Sequence, residues 1–419
     1  MSKIKNCPQL RFSDFKESWE TVRLGNYFTS VCLDSKESYP LYSLTISDGI
    51  VPKPTRYIRE HLVKDELEAY KAMTHLDFAY NPMNVRFGAV AALKERATVN
   101  VSRYYDIFKA NEHGDSYFFD EYLKSETMLR VYNKVATGTL VEKKRVHFSE
   151  FKELKVPLPS LLEQQKIASF LSKVDEKVAL LTEKKDKLAE YKKGVMQQLF
   201  SGRWEEQGGQ LTFIPPTLRF QADDGSEFSD WEEKKLGQVF TRIRRKNKEN
   251  NQNVLTISAQ KGLINQEKYF NKSVAAKDVT GYYLLENGDF AYNKSYSKGY
   301  PMGAIKRLNN YDKGVVSTLY ICFGLNQGFV SGFFEHYFES GLQNRDLSKI
   351  AQEGARNHGL LNISVDEFFK DVKLLTPSYE EQLKIANFLS AIDQKIYLTN
   401  SELDKAKDWK KGLLQQMFV

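Results

Sequence analysis

The sequence predicts an α/β protein built as two similar α/β lobes, separated by an antiparallel pair of long coiled-coil helices with approximate two-fold symmetry. Three observations predict this. The stretch Ser160–Phe200 recurs without a gap as Ser378–Phe418. Both copies carry apolar residues at a seven-residue period. The residues leading into each copy also recur, from Pro8 and again from Pro216. A repeat of this size means one structural unit used twice.

Residues 1–159 form the first lobe. The run Leu44-Thr-Ile-Ser47 and the run around Val101-Ser102, Tyr105 and Phe108 are β-branched and aromatic, and predict strands. Phe118, Phe119, Tyr122 and Leu123 share one helical stripe, which predicts a core face. Residues 202–377 repeat these landmarks. Pro8-Gln-Leu-Arg-Phe12 returns as Pro216-Thr-Leu-Arg-Phe220, and Trp19 as Trp231. Asp77-Phe-Ala-Tyr-Asn81 returns as Asp289-Phe-Ala-Tyr-Asn293. The aromatic stripe returns as Phe333, Phe334, Tyr337 and Phe338. Matches occupy apolar and turn positions. Mismatches fall in segments expected at the surface, such as Met83–Arg86 against Lys294–Met302, which suits two scaffolds facing different targets.

Residues 160–201 and 378–419 each predict one long helix. Ser160 with Glu163, and Ser378 with Glu381, have capping-box spacing, in which the hydroxyl serves the N3 amide and the carboxylate reaches back. Pro157, Pro159 and Pro377 stop what comes before. Ile167, Val174, Leu181, Leu188 and Val195 form one apolar row. Leu171, Val178 and Leu199 form the next, interrupted by Lys185 and Lys192. In the second copy the rows are Ile385, Ile392, Thr399, Ala406, Leu413 and Leu389, Ile396, Leu403, Lys410, Met417. Such a stripe calls for a helical partner. A copy of this length makes a rod of roughly 60 Å, longer than most globular helices. One helix leads from the first lobe to the second and the other leads back, so the expected pairing is antiparallel. Between the first helix and the second lobe, Ser201–Pro216 reads as a linker, with Gly202 as a helix C-cap.

A chain of 419 residues has room for two to three domains. Its net charge of +7 is compatible with a nucleic-acid partner without requiring one. Cys7, Cys32 and Cys322 are odd in number and widely spaced, so neither a disulfide framework nor a zinc site is expected. No apolar run approaches a membrane span and the N-terminus has no signal-like segment, which predicts a soluble cytoplasmic protein.

No catalytic constellation is visible. Phosphate-loop and dinucleotide glycine motifs are missing, and the six histidines are scattered. Asn81-Pro82-Met83 is only a fragment of an amino-methyltransferase motif. Glu142-x-Lys144 and Glu153-x-Lys155 are half of a nuclease motif and read as solvated charge. Nucleic-acid signals are stronger. Arg242-Ile-Arg-Arg-Lys-Asn-Lys248 and Lys143-Lys144-Arg145 concentrate positive charge of the kind phosphates attract. Tyr292–Tyr300 mixes amide, cationic and aromatic side chains around a glycine, the types that read base edges.

The helical runs Glu163–Lys177 and Glu381–Lys395, of the pattern E-Q-x-K-I-A-x-F-L-S-x-x-D-x-K, resemble the helical regions of HsdS, the specificity subunit of type I restriction–modification systems. The Asp77–Asn81 and Asp289–Asn293 segments resemble those of its target-recognition domains. The resemblance implies target-recognition domains at 1–159 and 202–377 and spacer helices at 160–201 and 378–419. It implies that each domain reads half of a bipartite double-stranded DNA site. It also implies that the helices set the gap and dock two HsdM methyltransferase subunits, with two HsdR subunits joining for cleavage. S-adenosylmethionine, ATP and Mg would serve those partners, and this chain would carry no cofactor, metal or catalytic residue. On this view the DNA contacts come from Tyr80, Asn81, Arg86, Arg103, Lys143 and Arg145 in the first lobe. In the second they come from Arg242, Arg244, Arg245, Lys246, Asn293, Lys294, Ser297 and Lys298. Partner contacts fall to Lys166, Phe170, Lys177 and Gln197, and to Lys384, Phe388, Lys395 and Gln415. A stand-alone DNA methyltransferase or nuclease, and a two-headed protein-binding scaffold, remain the alternatives.

Overall fold

The computed structural model describes residues 6–31, 35, 37–53, 70–138, 144–208, 210–272, 278–351 and 361–419. The chain forms two compact units: Met1–Glu183 with Asn400–Val419, and Lys184–Thr399. Each unit therefore holds one lobe, part of the first long helix and part of the second.

In the first unit the central sheet is antiparallel, in the order Phe28–Ser30, Asp106–Ala110, Phe78–Tyr80, Val90–Ala92. In the second unit the order is Phe240–Arg242, Ile321–Leu325, Phe290–Asn293, Ala304–Arg307, the same arrangement of the corresponding segments. The flanking pairs are duplicated too: Glu20–Arg23 with Lys155–Leu158 and Glu232–Lys235 with Lys373–Thr376. The hairpins Tyr42–Thr45/Gly49–Pro52 and Leu255–Ser258/Gly262–Asn265 contain the two Leu-Thr-Ile-Ser runs.

Aromatic packing explains why the Asp-Phe-Ala-Tyr-Asn segment recurs. Phe78 stacks on Phe108 at 5.0 Å, and Phe290 on Phe323 at 5.7 Å. The aspartate closes the turn before the strand: Asp77 Oδ2 accepts from Thr74 N–H at 2.7 Å, and Asp289 Oδ2 from Glu286 N–H at 2.8 Å. The asparagine closes the turn after it: Asn81 Oδ1 accepts from Met83 N–H and Asn293 Oδ1 from Ser295 N–H, both at 3.1 Å. The helices Ser116–Tyr122 and Ser331–Ser340 lay their predicted stripes over these sheets, with Phe118, Phe119, Tyr122, Phe333, Phe334 and Tyr337 all buried.

The long helices run Leu161–Leu199 and Tyr379–Met417, 39 residues each. In the first unit the start of the first helix meets the end of the second: Ile167, Ala168, Leu171 and Val174 share a core with Leu413, Met417 and Phe418. In the second unit Met196, Leu199 and Phe200 share a core with Ile385, Leu389 and Ile392. Thr399 and Ala406, the polar and small members of the row, are buried.

Two expectations change. The capping boxes are half made. Ser160 Oγ and Ser378 Oγ accept from the N3 amides at 3.4 and 3.3 Å. The carboxylates of Glu163 and Glu381 do not reach back, because charged partners outside the helix hold them (below). The stretch Ser201–Pro216 is not a plain linker either. It contains a hairpin, Arg203–Gln207 with Gln210–Ile214, whose turn uses Gly208 at φ +61°. Gly202 is needed for closeness rather than as a left-handed cap, since a Cβ there would lie 2.0 Å from the Phe213 ring.

Candidate nucleic-acid interface

Strand pairing gives each sheet two ends of different character. One end faces the long helices. Past Ala110, Asp115 N–H donates to Gln164 Oε1 at 3.0 Å. Past Leu325, Val330 N–H donates to Gln382 Oε1 at 3.0 Å. The other end gathers loops. Tyr80 pairs with Val90 and with Asp106, so the Asn81–Ala89 loop and the Ser102–Tyr105 turn leave the same edge. Arg145 joins them, because Val146 N–H donates to Pro82 C=O at 3.0 Å. In the second unit Tyr292 pairs with Ile305 and Ile321, which brings the Lys294–Gly303 loop beside the Ser317–Tyr320 turn. Ile243 N–H donates to Cys322 C=O at 2.8 Å, which carries Arg244 to that edge. Each five-residue strand thus holds its loops roughly 13 Å from the helix seat.

The seat is a buried ionic joint made twice. Arg11 grips Glu163 with two bonds, Nε to Oε1 at 2.7 Å and Nη2 to Oε2 at 2.8 Å, and Trp19 Nε1 adds a third at 3.3 Å. In the second unit Arg219 grips Glu381 at 3.0 and 2.7 Å, with Trp231 Nε1 at 3.2 Å. These are the Arg and Trp of the recurring Pro-x-Leu-Arg-Phe…Trp segments. Their recurrence was visible in the sequence; their common partner was not. A bidentate charge-assisted pair outcompetes the back-reach of a capping box.

A second joint crosses the helices. Lys410 Nζ lies 2.6 Å from Asp175 Oδ1 and 3.1 Å from Glu121 Oε1 in the first unit. Burial would lower the pKa of this ammonium, but Glu121 and Asp175 outweigh it and hold it above its ordinary value. In the second unit Lys192 Nζ lies 2.6 Å from Asp393 Oδ1. The position of Glu121 is taken there by His336, whose Nε2 is 3.9 Å from Asp393 Oδ2. Of the lysines in the apolar rows, Lys192 and Lys410 are therefore cross-helix partners, whereas Lys185 lies 3.6 Å from Asp186 on its own helix.

The substitution of histidine for glutamate gives the second unit an acid response. Burial, then the charge of Lys192, pushes the His336 imidazole down to about 3 from 6.5, with Arg307 adding to this and Glu339 opposing it. Between those values the unfolded chain holds the extra proton and the folded one does not. Stability of the second unit therefore falls as pH drops below about 6.5, by about 2 kcal/mol at about pH 5. Unfolding of His336→Gln followed against pH should show this slope flattened; an unchanged slope would assign it elsewhere.

The comparisons with known proteins agree with this architecture. Residues 16–190 match the family model described as the type I restriction modification DNA specificity domain. Over its whole length the chain is 22% identical to the type I restriction enzyme MjaVIII specificity subunit of Methanocaldococcus jannaschii, covering 100% of this chain and 96% of that one. The chain is thus similar to the specificity subunits of type I restriction systems, the HsdS proteins. Two solved structures share the fold. The type I restriction–modification S subunit from M. genitalium superposes with TM-score 0.56 at 14% identity over 99% of both chains. A chain from work on complex assembly and conformational transition of the type I system gives 0.50 at 13% identity, over 96% of this chain and 97% of that one.

Within this HsdS fold the predicted DNA residues separate into two groups. Arg103, Arg145, Arg244 and Lys298 are exposed at the loop edges, with Arg242 and Ser297 half-buried beside them. Among the described residues Arg145, Arg242, Arg244 and Lys298 have no ion-pair partner. The other group is engaged by the fold itself. Tyr80 is wholly buried, its hydroxyl donating to Val146 C=O at 2.9 Å, so it is a core residue and not a DNA contact. Asn81 and Asn293 hold the turns described above. Arg86 is buried over the Phe87 ring at 4.9 Å. Arg245 pairs with Asp289 at 2.9 Å and Glu286 at 3.2 Å. Lys246 lies over Tyr283 at 4.4 Å and donates to Gly281 C=O, and Lys294 Nζ is 3.5 Å from Ile363 C=O. Lys143 lies outside the described residues.

The predicted partner residues divide in the same way. Lys166 pairs with Asp14, and Phe170 meets Phe12 and Trp409 edge-on at 5.8 and 6.2 Å. Lys384 pairs with Asp223 at 2.6 Å, Phe388 meets Phe220 at 5.6 Å, and Gln415 donates to Glu126 at 2.9 Å. These five side chains fasten the helices to their lobes. Lys177, Gln197 and Lys395 are exposed. Sequence reasoning missed four exposed apolar residues at equivalent helix positions, Leu180 with Leu398 and Tyr191 with Trp409. Their signal was a match between the two copies outside the apolar stripe. Among the described residues, no His/Cys/Asp/Glu group could hold a metal ion, and no helix is long and apolar enough to cross a membrane.

Proposed function

We propose that the chain is the DNA-recognition subunit of a type I restriction–modification complex, and that each loop edge reads one half of a bipartite duplex site. The observation that carries this is the sheet edge built twice on one scaffold with different exposed cations: Arg103 and Arg145 on one, Arg244 and Lys298 on the other, with Arg242 half-buried beside them. Cations at the rim hold phosphates, and unlike loops on like scaffolds suit unlike half-sites. The long helices set the gap between half-sites and dock two HsdM subunits, to which two HsdR subunits are added. Adenine methylation with S-adenosylmethionine, and ATP- and Mg-dependent translocation and cutting, belong to those partners, in the cytoplasm. The chain contributes no catalytic group.

The test is to map methylated adenines in cells expressing this chain with its methyltransferase. One bipartite motif supports the reading, and no motif refutes it. The phosphate contacts have their own expected result. Affinity for the mapped duplex should fall steeply between ~50 and ~200 mM salt, and Arg244→Ala or Lys298→Ala should each reduce the log–log salt slope by about 1. An unchanged slope would remove that residue from the interface.

A further inference from the structure

We propose that Tyr104 and Leu319 are apolar wedges that enter the base stack of duplex DNA, one at each half-site. The inference rests on the DNA-recognition reading and adds what the turn tips do there.

Both residues stand on the same turn, built twice. Tyr104 N–H donates to Ser102 Oγ at 3.3 Å, and Leu319 N–H donates to Ser317 Oγ at 3.3 Å. Tyr105 N–H closes onto Ser102 C=O at 3.0 Å, and Tyr320 N–H onto Ser317 C=O at 3.1 Å. The foot of each turn is anchored. Tyr105 packs against the small core beside the first sheet, and its carbonyl accepts from Lys71 Nζ at 2.8 Å. Tyr320 packs against the corresponding core of the second unit, with its hydroxyl 3.4 Å from Thr256 Oγ1. The tips face water: Tyr104 is 49% exposed and Leu319 72%.

A large apolar side chain left in water adds little to the fold, since the gain of about 1.5–3 kcal/mol comes only on burial. Its neighbour has changed between the lobes, Arg103 in one and Thr318 in the other, while the tip stays large and apolar. Leu319 can neither bind a phosphate nor hydrogen-bond a base edge. Yet each tip projects from an edge that carries cations, Arg145 in the first unit and Arg242, Arg244 and Lys298 in the second, where phosphates would sit. The apolar surface available beside phosphates is the base stack. Apolar side chains inserted there unstack a step and kink the duplex. An enzyme that modifies a base needs that base out of the helix, so a subunit that opens the stack would do part of its partner's work. A stiff, anchored turn suits this, because a tip that must displace stacked bases cannot itself yield.

The experiment uses the complex of the full chain with its methyltransferase subunits. The probe is a duplex carrying the mapped site, with 2-aminopurine at or beside the target adenine of either half. Wild type should raise the fluorescence several-fold in both halves. Tyr104→Ala should abolish the rise in one half and Leu319→Ala in the other. Affinity should change less than about ten-fold, since the phosphate contacts persist. Tyr104→Phe and Leu319→Met should keep the signal, and the exposed positions predict unchanged melting for all four variants. Alanine variants that bind and still give the full rise in both halves would overturn the wedge alone. A wild-type complex with no salt-dependent binding would overturn the DNA reading, and the wedge with it.

Discussion

Glu163→Ala should lower the stability of the first unit by about 3–5 kcal/mol, the usual penalty for removing one member of a buried ion pair. The Glu163 carboxylate is 1% exposed and takes both arms of Arg11 and the indole N–H of Trp19. Its loss leaves a guanidinium and an indole donor facing low-dielectric surroundings without an acceptor. Glu381→Ala should do the same to the second unit, where Arg219 and Trp231 are stranded. Calorimetry or denaturant unfolding, followed with a probe in each unit, separates the effects. A loss under about 1 kcal/mol would mean that water replaces the carboxylate. Replacing both partners, as in Arg11→Met with Glu163→Leu, should recover most of the loss, because no charge is then left unpaired.

Phe418→Ala should cost the first unit about 3–5 kcal/mol, although the residue stands at the far end of the chain from that lobe. Its ring is 5% exposed and meets Phe118 and Tyr122 edge-on at 5.8 and 5.5 Å. Phe200→Ala should act on the second unit instead. There the Phe200 ring is 4% exposed and lies 5.8 Å from Phe333, 6.2 Å from Trp231 and 6.1 Å from Tyr337. Hydrogen exchange provides the readout. Phe418→Ala should release protection in residues 118–123 and spare 333–338, and Phe200→Ala should do the reverse. Matching loss in both segments for either variant would contradict the division of the chain into these units.

Much of the fold could be read in advance because it is written in repetition. The heptad rows that predicted two long helices are buried where each helix meets a lobe, at Ile167, Leu171 and Val174 and at Ile385, Leu389 and Ile392, while Val178, Leu181, Leu188, Val195 and Ile396 are half-buried. The aromatic stripes at Phe118 and Phe333 are core faces for the same reason: helical periodicity converts directly into a side. The candidate site was less legible. Tyr80, Asn81, Arg86, Arg245 and Asn293 are residue types that bind nucleic acid, but each is occupied by the fold. Type and spacing do not say whether a side chain's hydrogen bonds are already used. Tyr104 and Leu319 were passed over because a single apolar residue in a turn carries no pattern.

The sequence alone determined that two lobes of one design alternate with two long helices, since duplication and periodicity survive in a one-dimensional record. Only the tertiary structure decided which charges hold the protein together and which remain for a partner. Arg11 finds Glu163 across 152 residues, and Lys410 finds Glu121 across 289. Satisfaction of a buried charge is a property of neighbours in space, and those neighbours come from segments whose order along the chain says nothing of their contact.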